Sequence, residues 1–137
     1  MSTSPTNQID LVVADSSRMP WVTAVVPQTG GAIPSKFLFA DPDTGMQVKL
    51  VRYAAGFTNV WHTHPHAHGM YVLDGVLRTH KGEYGPGNFV WFPEGGWMEH
   101  GATEDNDVTF LVIHNKPFGI CYESDAEHSY PMHVTQG

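Results

Sequence analysis

Histidine occupies every second position of the segment Trp61-His62-Thr63-His64-Pro65-His66-Ala67-His68, and a further one, His100, stands in an apolar stretch downstream. A period of two is the period of a β-strand, so His62 and His64 project from one face of a strand and can turn toward one ion. Neutral imidazole is the commonest side-chain ligand of first-row transition metals, which makes this pair a candidate metal site. Kept fully extended, the chain would put His68 roughly 20 Å from His62, whereas metal–nitrogen bonds are about 2.0–2.1 Å. The chain has to turn between them, and Pro65 and Gly69 supply the breaks. His62 and His64 are therefore expected to end one strand, His66 to lie in a loop, and His68 to open the next strand.

The rest of the chain reads the same way. Short apolar or alternating runs at 36–40, 46–53, 70–73, 76–80, 89–92, 108–114 and 119–122 are separated by turn residues such as Asp41-Pro42-Asp43-Thr44-Gly45, Gly85-Pro86-Gly87 and Pro93-Glu94-Gly95-Gly96. Strands at that spacing argue for an all-β sandwich or barrel, and no segment sustains a helical period. Asp74-Gly75 is the sharpest hairpin signal and is expected to join 70–73 to 76–80. With 137 residues the chain is one domain, able to bury about two-thirds of its unfolded surface without disulfides. Residues 1–35 read as an N-terminal arm and edge strands, 36–123 as the barrel and 124–137 as a C-terminal tail. Within the arm, 1–8 is a polar chain end, while 9–14 and 21–26 are either edge strands or an arm across a partner subunit.

Those elements carry a family resemblance. Gly56, five residues, His62-x-His64, three residues, His68, six residues and Gly75 are similar to the first motif of the cupins, with His68 where the family usually has glutamate. Gly87, five residues, Pro93-x-Gly95 and the later His100 resemble the second motif, with Glu104 four residues beyond His100 where asparagine is common. The resemblance implies a cupin-type double-stranded β-helix, a jelly-roll barrel, with a metal held by His62, His64, His68 and His100. The chain is also similar to the histidine-rich cupins that include the acetylacetone-cleaving and dihydroxyacetophenone-cleaving dioxygenases, through the His62-x-His64 pair, His100 and the segment His114-Asn115-Lys116-Pro117-Phe118-Gly119-Ile120. That likeness implies oxygen-dependent carbon–carbon cleavage of a small dicarbonyl or hydroxyketone at an iron(II) centre, in a homodimer.

Strand parity and charge fill in the site. If His68 faces inward, Met70 and Val72 share its face; if His100 does, so does Met98, while Trp97 and Glu99 point away. The pocket is then mostly apolar, and Phe57, Trp61, Trp91, Phe92 and Phe110 are either its lining or core. His66 is expected as a solvated loop residue, with a hydrogen-bonding or general-base role as the other reading; His114 ends a strand near the cavity mouth; His80, His128 and His133 are non-ligands. Arg52 and Arg78 are expected to face outward, and Cys121 to be a small buried hydrophobe. Four neutral imidazoles leave a divalent ion with more charge than three plus a carboxylate, which favours an enolate or other organic anion.

The formal net charge of −7 argues against nucleic acid or an anionic membrane as partner, and no apolar run approaches the ~20 residues of a membrane span. With no basic and apolar leader at the start, the chain is expected in the cytoplasm, bound to a small molecule and, for oxygen chemistry, to O2. Iron(II) leads the metals, with manganese, nickel and zinc also compatible with imidazole, and no catalytic residue is assigned beyond the metal centre. The alternatives are a non-oxidative lyase or isomerase in which the metal polarises a carbonyl, and a non-catalytic binding cupin of the ChrR type. Against a self-contained regulator stands the lack of a helical or DNA-binding segment in this sequence.

Overall fold

The computed structural model describes residues 4–125. The expectations for His128, His133 and most of the C-terminal tail lie outside these residues. Eleven strands follow one another: β1 (Val22–Val26), β2 (Gly31–Ala40), β3 (Gln47–Tyr53), β4 (Thr58–Thr63), β5 (His68–Asp74), β6 (Leu77–Thr79), β7 (Gly82–Tyr84), β8 (Phe89–Phe92), β9 (Met98–Ala102), β10 (Val108–His114) and β11 (Cys121–Tyr122). Among the described residues only two short 3-10 turns, Ser16–Arg18 and Glu123–Asp125, stand beside the β-structure. The strands form a six-stranded sheet in the order β1-β2-β3-β10-β5-β8 and a five-stranded sheet in the order β11-β4-β9-β6-β7, antiparallel throughout. This is the expected all-β jelly roll.

Its core follows from period-two burial. In β5, His68, Met70 and Val72 are buried and Tyr71 and Leu73 are exposed; in β10, Val108, Phe110 and Val112 are buried. These side chains meet Leu77, Phe92, Met98 and Ala102 from the other strands in one cluster. Packed apolar side chains of this kind contribute about 1.5–3 kcal/mol each when fully buried.

Two expectations fail in instructive ways. Asp74-Gly75 does not close a hairpin: β5 lies in the six-stranded sheet, β6 pairs with β7 and β9 in the other, and the turn carries the chain between them. Gly75 still has the turn conformation, at φ 80°, but it packs against the 107–108 backbone, and a Cβ there would lie 2.0 Å from the Asp107 carbonyl oxygen. Of the N-terminal runs, the second forms β1 at the edge of the six-stranded sheet, paired with β2. The first forms no strand, and Ile9, Leu11, Val12 and Val13 are 75–84% exposed.

One irregularity positions the site. β4 and β9 pair as Asn59↔His100 and then His62↔Met98, with a register shift between them. Three steps along β4 thus face two along β9, the signature of a bulge. In a regular strand Asn59 and His62, at odd spacing, would point to opposite faces. The extra residue lets both be buried, and it sets His62 beside His100.

Candidate metal centre

His62 and His64 reach the barrel interior from β4 and the residue that follows it, and His100 reaches it from β9. One ring nitrogen from each lies within 4.8 Å of the other two. All three residues are buried. Hydrogen bonds to the far side of each ring decide which nitrogen is offered. His62 Nδ1 is 2.6 Å from the Val60 carbonyl and His64 Nδ1 is 2.5 Å from the Gly119 carbonyl. A carbonyl only accepts, so both Nδ1 atoms carry the proton and donate, and both Nε2 atoms keep a lone pair. His62 Nε2 stands 3.1 Å from His100 Nε2, a separation that needs a proton between two neutral rings. A divalent metal can take that proton's place if the His100 proton moves to Nδ1, where Tyr53 Oη is waiting at 3.0 Å to accept it.

His68 lies against this trio. Its ring centroid is 4.9 Å from that of His64 and 6.0 Å from that of His100, and it stacks on Phe92 at 4.7 Å. It is 2% exposed, and neither of its ring nitrogens has a hydrogen-bond partner among the described residues. Two unpartnered ring nitrogens, one N–H donor and one acceptor, cost free energy at a buried position unless something binds them. The convergent buried imidazoles of His62, His64 and His100 suit a first-row transition metal, so these three residues fit such an ion, with His68 beside them.

Burial governs protonation here. It lowers the His62 pKa to about 4 and holds those of His64, His68 and His100 well below the ordinary value, with the neighbouring histidines adding to the shift in the last three. The site is thus neutral imidazole at physiological pH, the form a metal requires. Burial, with Tyr122 beside it, raises the Tyr53 pKa, so its hydroxyl stays protonated. Tyr122 Oη in turn donates to Asn59 Oδ1 at 2.7 Å.

His64 and His100 of the trio line a cavity of about 200 Å³ whose walls include Val51, Met70, Phe110, Val112 and Ile120. The parity reading holds: Met70, Val72 and Met98 are buried with the histidines, Trp97 is exposed and Glu99 is half-buried. Of the aromatics proposed as lining or core, Phe110 lines the cavity, Phe92 and Phe57 belong to the core, Trp91 faces solvent and Trp61 sits at 37% exposure. Arg52 is exposed over the Trp21 ring, and Arg78 donates to Thr58 and Ala102 with no anionic partner, so neither faces the cavity. Cys121 is buried as expected.

His66 corrects the sequence reading. It is not solvated but completely buried, sandwiched between His64 (4.6 Å) and His114 (4.7 Å, interplanar 10°), with Nδ1 donating to the Ala67 carbonyl. The loop that carries it folds inward under Asn115, whose Oδ1 accepts from the Ala67 N–H. His114 lines the cavity. Sequence reasoning missed Lys49, Tyr53, Phe118 and Tyr122, all of which line the same space. For the first two the sequence carries only an alternation: Lys49, Val51 and Tyr53 share one face of β3, and the structure shows that this face is the buried one.

Comparison with known proteins agrees with this architecture. The chain shares the fold of a protein of unknown function with a cupin-like fold from Ralstonia eutropha JMP134, at 19% identity and a TM-score of 0.71, over 88% of this chain and 76% of that one. A candidate acetylacetone dioxygenase from Methylibium petroleiphilum PM1 aligns at 14% identity and a TM-score of 0.67, over 90% and 88% of the two chains. The Rhodobacter sphaeroides complex of SigE with the anti-sigma ChrR supplies a third likeness, at 18% identity and a TM-score of 0.58, covering 71% of this chain and 50% of that one. No curated protein matches. The ChrR cupin-like domain, by contrast, matches residues 10–118, most of the sequence, and the chain therefore belongs to the ChrR cupin-like family.

Proposed function

We propose that the protein is a metal-dependent dioxygenase that cleaves a carbon–carbon bond of a small dicarbonyl or hydroxyketone bound as its enolate. The observation that carries this reading is the convergence of ring nitrogens from His62, His64 and His100 beside a cavity that His64 and His100 line, with the unpaired ring of His68 next to them as the proposed fourth ligand. A bound divalent ion, iron(II) foremost, would supply positive charge for two substrate oxygens and electrons for oxygen chemistry. The chain's own residues do the rest. Val60 and Gly119 fix the ring tautomers of His62 and His64, Tyr53 Oη accepts a hydrogen bond from His100 Nδ1–H, and the apolar walls exclude water, which strengthens the attraction between an enolate and a cationic centre. The cavity lies below the roughly 300–1,000 Å³ of sites for drug-sized ligands, in keeping with a small substrate.

Oxygen uptake by the iron(II)-loaded protein with a panel of β-dicarbonyls and hydroxyacetophenones tests the proposal. Substrate-dependent uptake with cleaved acids as products is expected; turnover without uptake would point to a non-oxidative lyase or isomerase. A second reading, a non-catalytic small-molecule-binding cupin, is favoured by the family match itself, and tight binding with no turnover across reconstituted metals would establish it. The assembly in either case is proposed to be a homodimer.

A further inference from the structure

The cavity contains a charge that the metal centre does not use. Lys49, on the inner face of β3, is 4% exposed, and its ammonium lies over the Phe118 ring at 4.6 Å and the Phe37 ring at 5.6 Å. Among the described residues it has no hydrogen-bond or ion-pair partner. Among the described residues no aspartate or glutamate lines the cavity, although the chain has 14 of them and only 7 lysines and arginines. Around Lys49 the wall carries further unspent polar atoms. His114 Nδ1 is buried without a partner, and so is His66 Nε2, whose Nδ1 is spent on Ala67. Burial lowers the Lys49 pKa only to about 8, so the amine is mostly cationic at neutral pH.

An unpaired ammonium inside a fold is costly, and the cost is relieved by a counter-charge. No described wall residue supplies that counter-charge, and an anionic ligand entering the cavity would bring it. A second metal ion at His66 and His114 is disfavoured, because it would sit beside this ammonium and no described carboxylate lines the cavity to ligate it. We propose that Lys49, with His114, forms an anion subsite that takes the carboxylate of a small organic acid. The ammonium and a His114 ring N–H donate to the carboxylate oxygens, while His66 Nε2 accepts from a hydroxyl or from the ammonium. The carbon skeleton lies along the apolar walls. This deepens the function proposed above and rests on it only for the far end of the ligand, which reaches the three-histidine centre. The preferred substrate class is then a keto acid rather than a neutral diketone.

Two matched pairs of probes test it. Acetylpyruvate and acetylacetone share a diketone and differ in a carboxylate for a methyl; titrated anaerobically into the metal-loaded protein, acetylpyruvate is expected to bind at least about tenfold more tightly. Propionate and propionamide probe the subsite without any metal: propionate is expected to raise the melting temperature of the metal-free protein and propionamide is not. Lys49→Met, which removes the charge and nearly keeps the volume, should abolish both preferences, retain metal, and melt higher than the wild type, which also verifies its fold. Lys49→Arg should keep both preferences. Equal melting shifts from propionate and propionamide, or a Lys49→Met protein that still prefers the carboxylates, would overturn the subsite. Failure of acetylacetone to bind while propionate protection persists and depends on Lys49 would leave the subsite standing and remove the dicarbonyl reading.

Discussion

Each histidine of the centre has a different second contact, and those contacts predict different variants. His62→Ala or His100→Ala should lose most of the metal, because each removes one of the convergent lone pairs. His68→Glu restores the donor more usual at that position and lowers the site charge by one, so metal should be retained while an anionic substrate binds more weakly. His68→Ala opens a coordination position and should keep metal with altered turnover; unchanged metal content, spectrum and kinetics would place His68 outside the coordination sphere. Tyr53→Phe leaves the ligand in place but removes the acceptor from His100 Nδ1, which should weaken metal affinity about 10–100-fold while hardly changing the fold. Metal titration by competition with a chelator reads the metal affinity of all five. Acid should act through the same residues. The His62 pKa falls from 6.5 unfolded to about 4 folded, and those of His64, His66, His68, His100 and His114 are lowered too, all mainly by burial. Below 6.5 the unfolded chain takes up protons that the folded one refuses, so stability is fully present above that pH and is lost as pH falls toward the folded values. Each such group contributes up to about 1.4 kcal/mol per pH unit in that window. The melting temperature of the metal-free protein should therefore drop steeply from pH 6.5 downward; a flat profile would mean that these rings are not buried neutral.

Between residue and barrel, turns and one bulge decide which side chains meet. Gly75 combines a positive φ with a backbone neighbour that a Cβ would strike, so Gly75→Ala should destabilise by at least about 1–3 kcal/mol, visible as a lowered denaturant midpoint. An unchanged midpoint would show that the 107–108 segment gives way freely. This turn also marks the limit of reading strands from sequence. Asp74-Gly75 was recognisable as a turn, but a two-residue turn joins a hairpin or crosses between facing sheets with the same local chemistry, and only the partners of β6 decide between them. Strands β8 and β10 were legible to the residue, since each is a dense β-branched and aromatic run bounded by turn residues. β7 was not read as a strand, because Gly82–Tyr84 is too short for a period, and β9 entered only through the strand parity of Met98 and His100, because Met98–Ala102 mixes Glu, Gly and Ala. The histidines were legible because alternation and family spacing both pointed to them. Lys49 was not, because a single lysine in an alternating strand looks the same whether it faces water or the cavity, and the parity of Val51 and Tyr53 gains meaning only once the sheet has a known inside. His66 was misread because a histidine between Pro65 and Ala67 has no periodicity of its own, and its burial depends on the distant Asn115.

At the scale of the whole molecule, the outer face of the six-stranded sheet is too apolar for a surface left in water. Register places Leu111, Tyr71 and Phe89 in one row across β10, β5 and β8, and Ile113, Gly69 and Trp91 in the next. Phe89 and Trp91 are 55% and 51% exposed on an edge strand. Monomers seldom leave contiguous patches of this kind uncovered, and an edge strand invites pairing. The same chain also offers a segment without a sheet of its own, Ile9, Leu11, Val12 and Val13, extended and exposed. A second copy whose arm covers this face accounts for both features, and it is the homodimer proposed here. Sedimentation at micromolar concentration should show a dimer, and Phe89→Asp with Trp91→Asp, both at exposed positions, should shift it to monomer without unfolding it. Leu11→Asp with Val13→Asp should do the same if the arm is the occupant; arm variants that remain dimeric while the sheet variants dissociate would mean that the two sheets pack face to face instead. Because His62, His64 and His100 all come from β4, its end and β9 of a single barrel, the monomeric variants should still bind metal. Loss of metal on dissociation would show that the barrel needs its partner to hold the centre together.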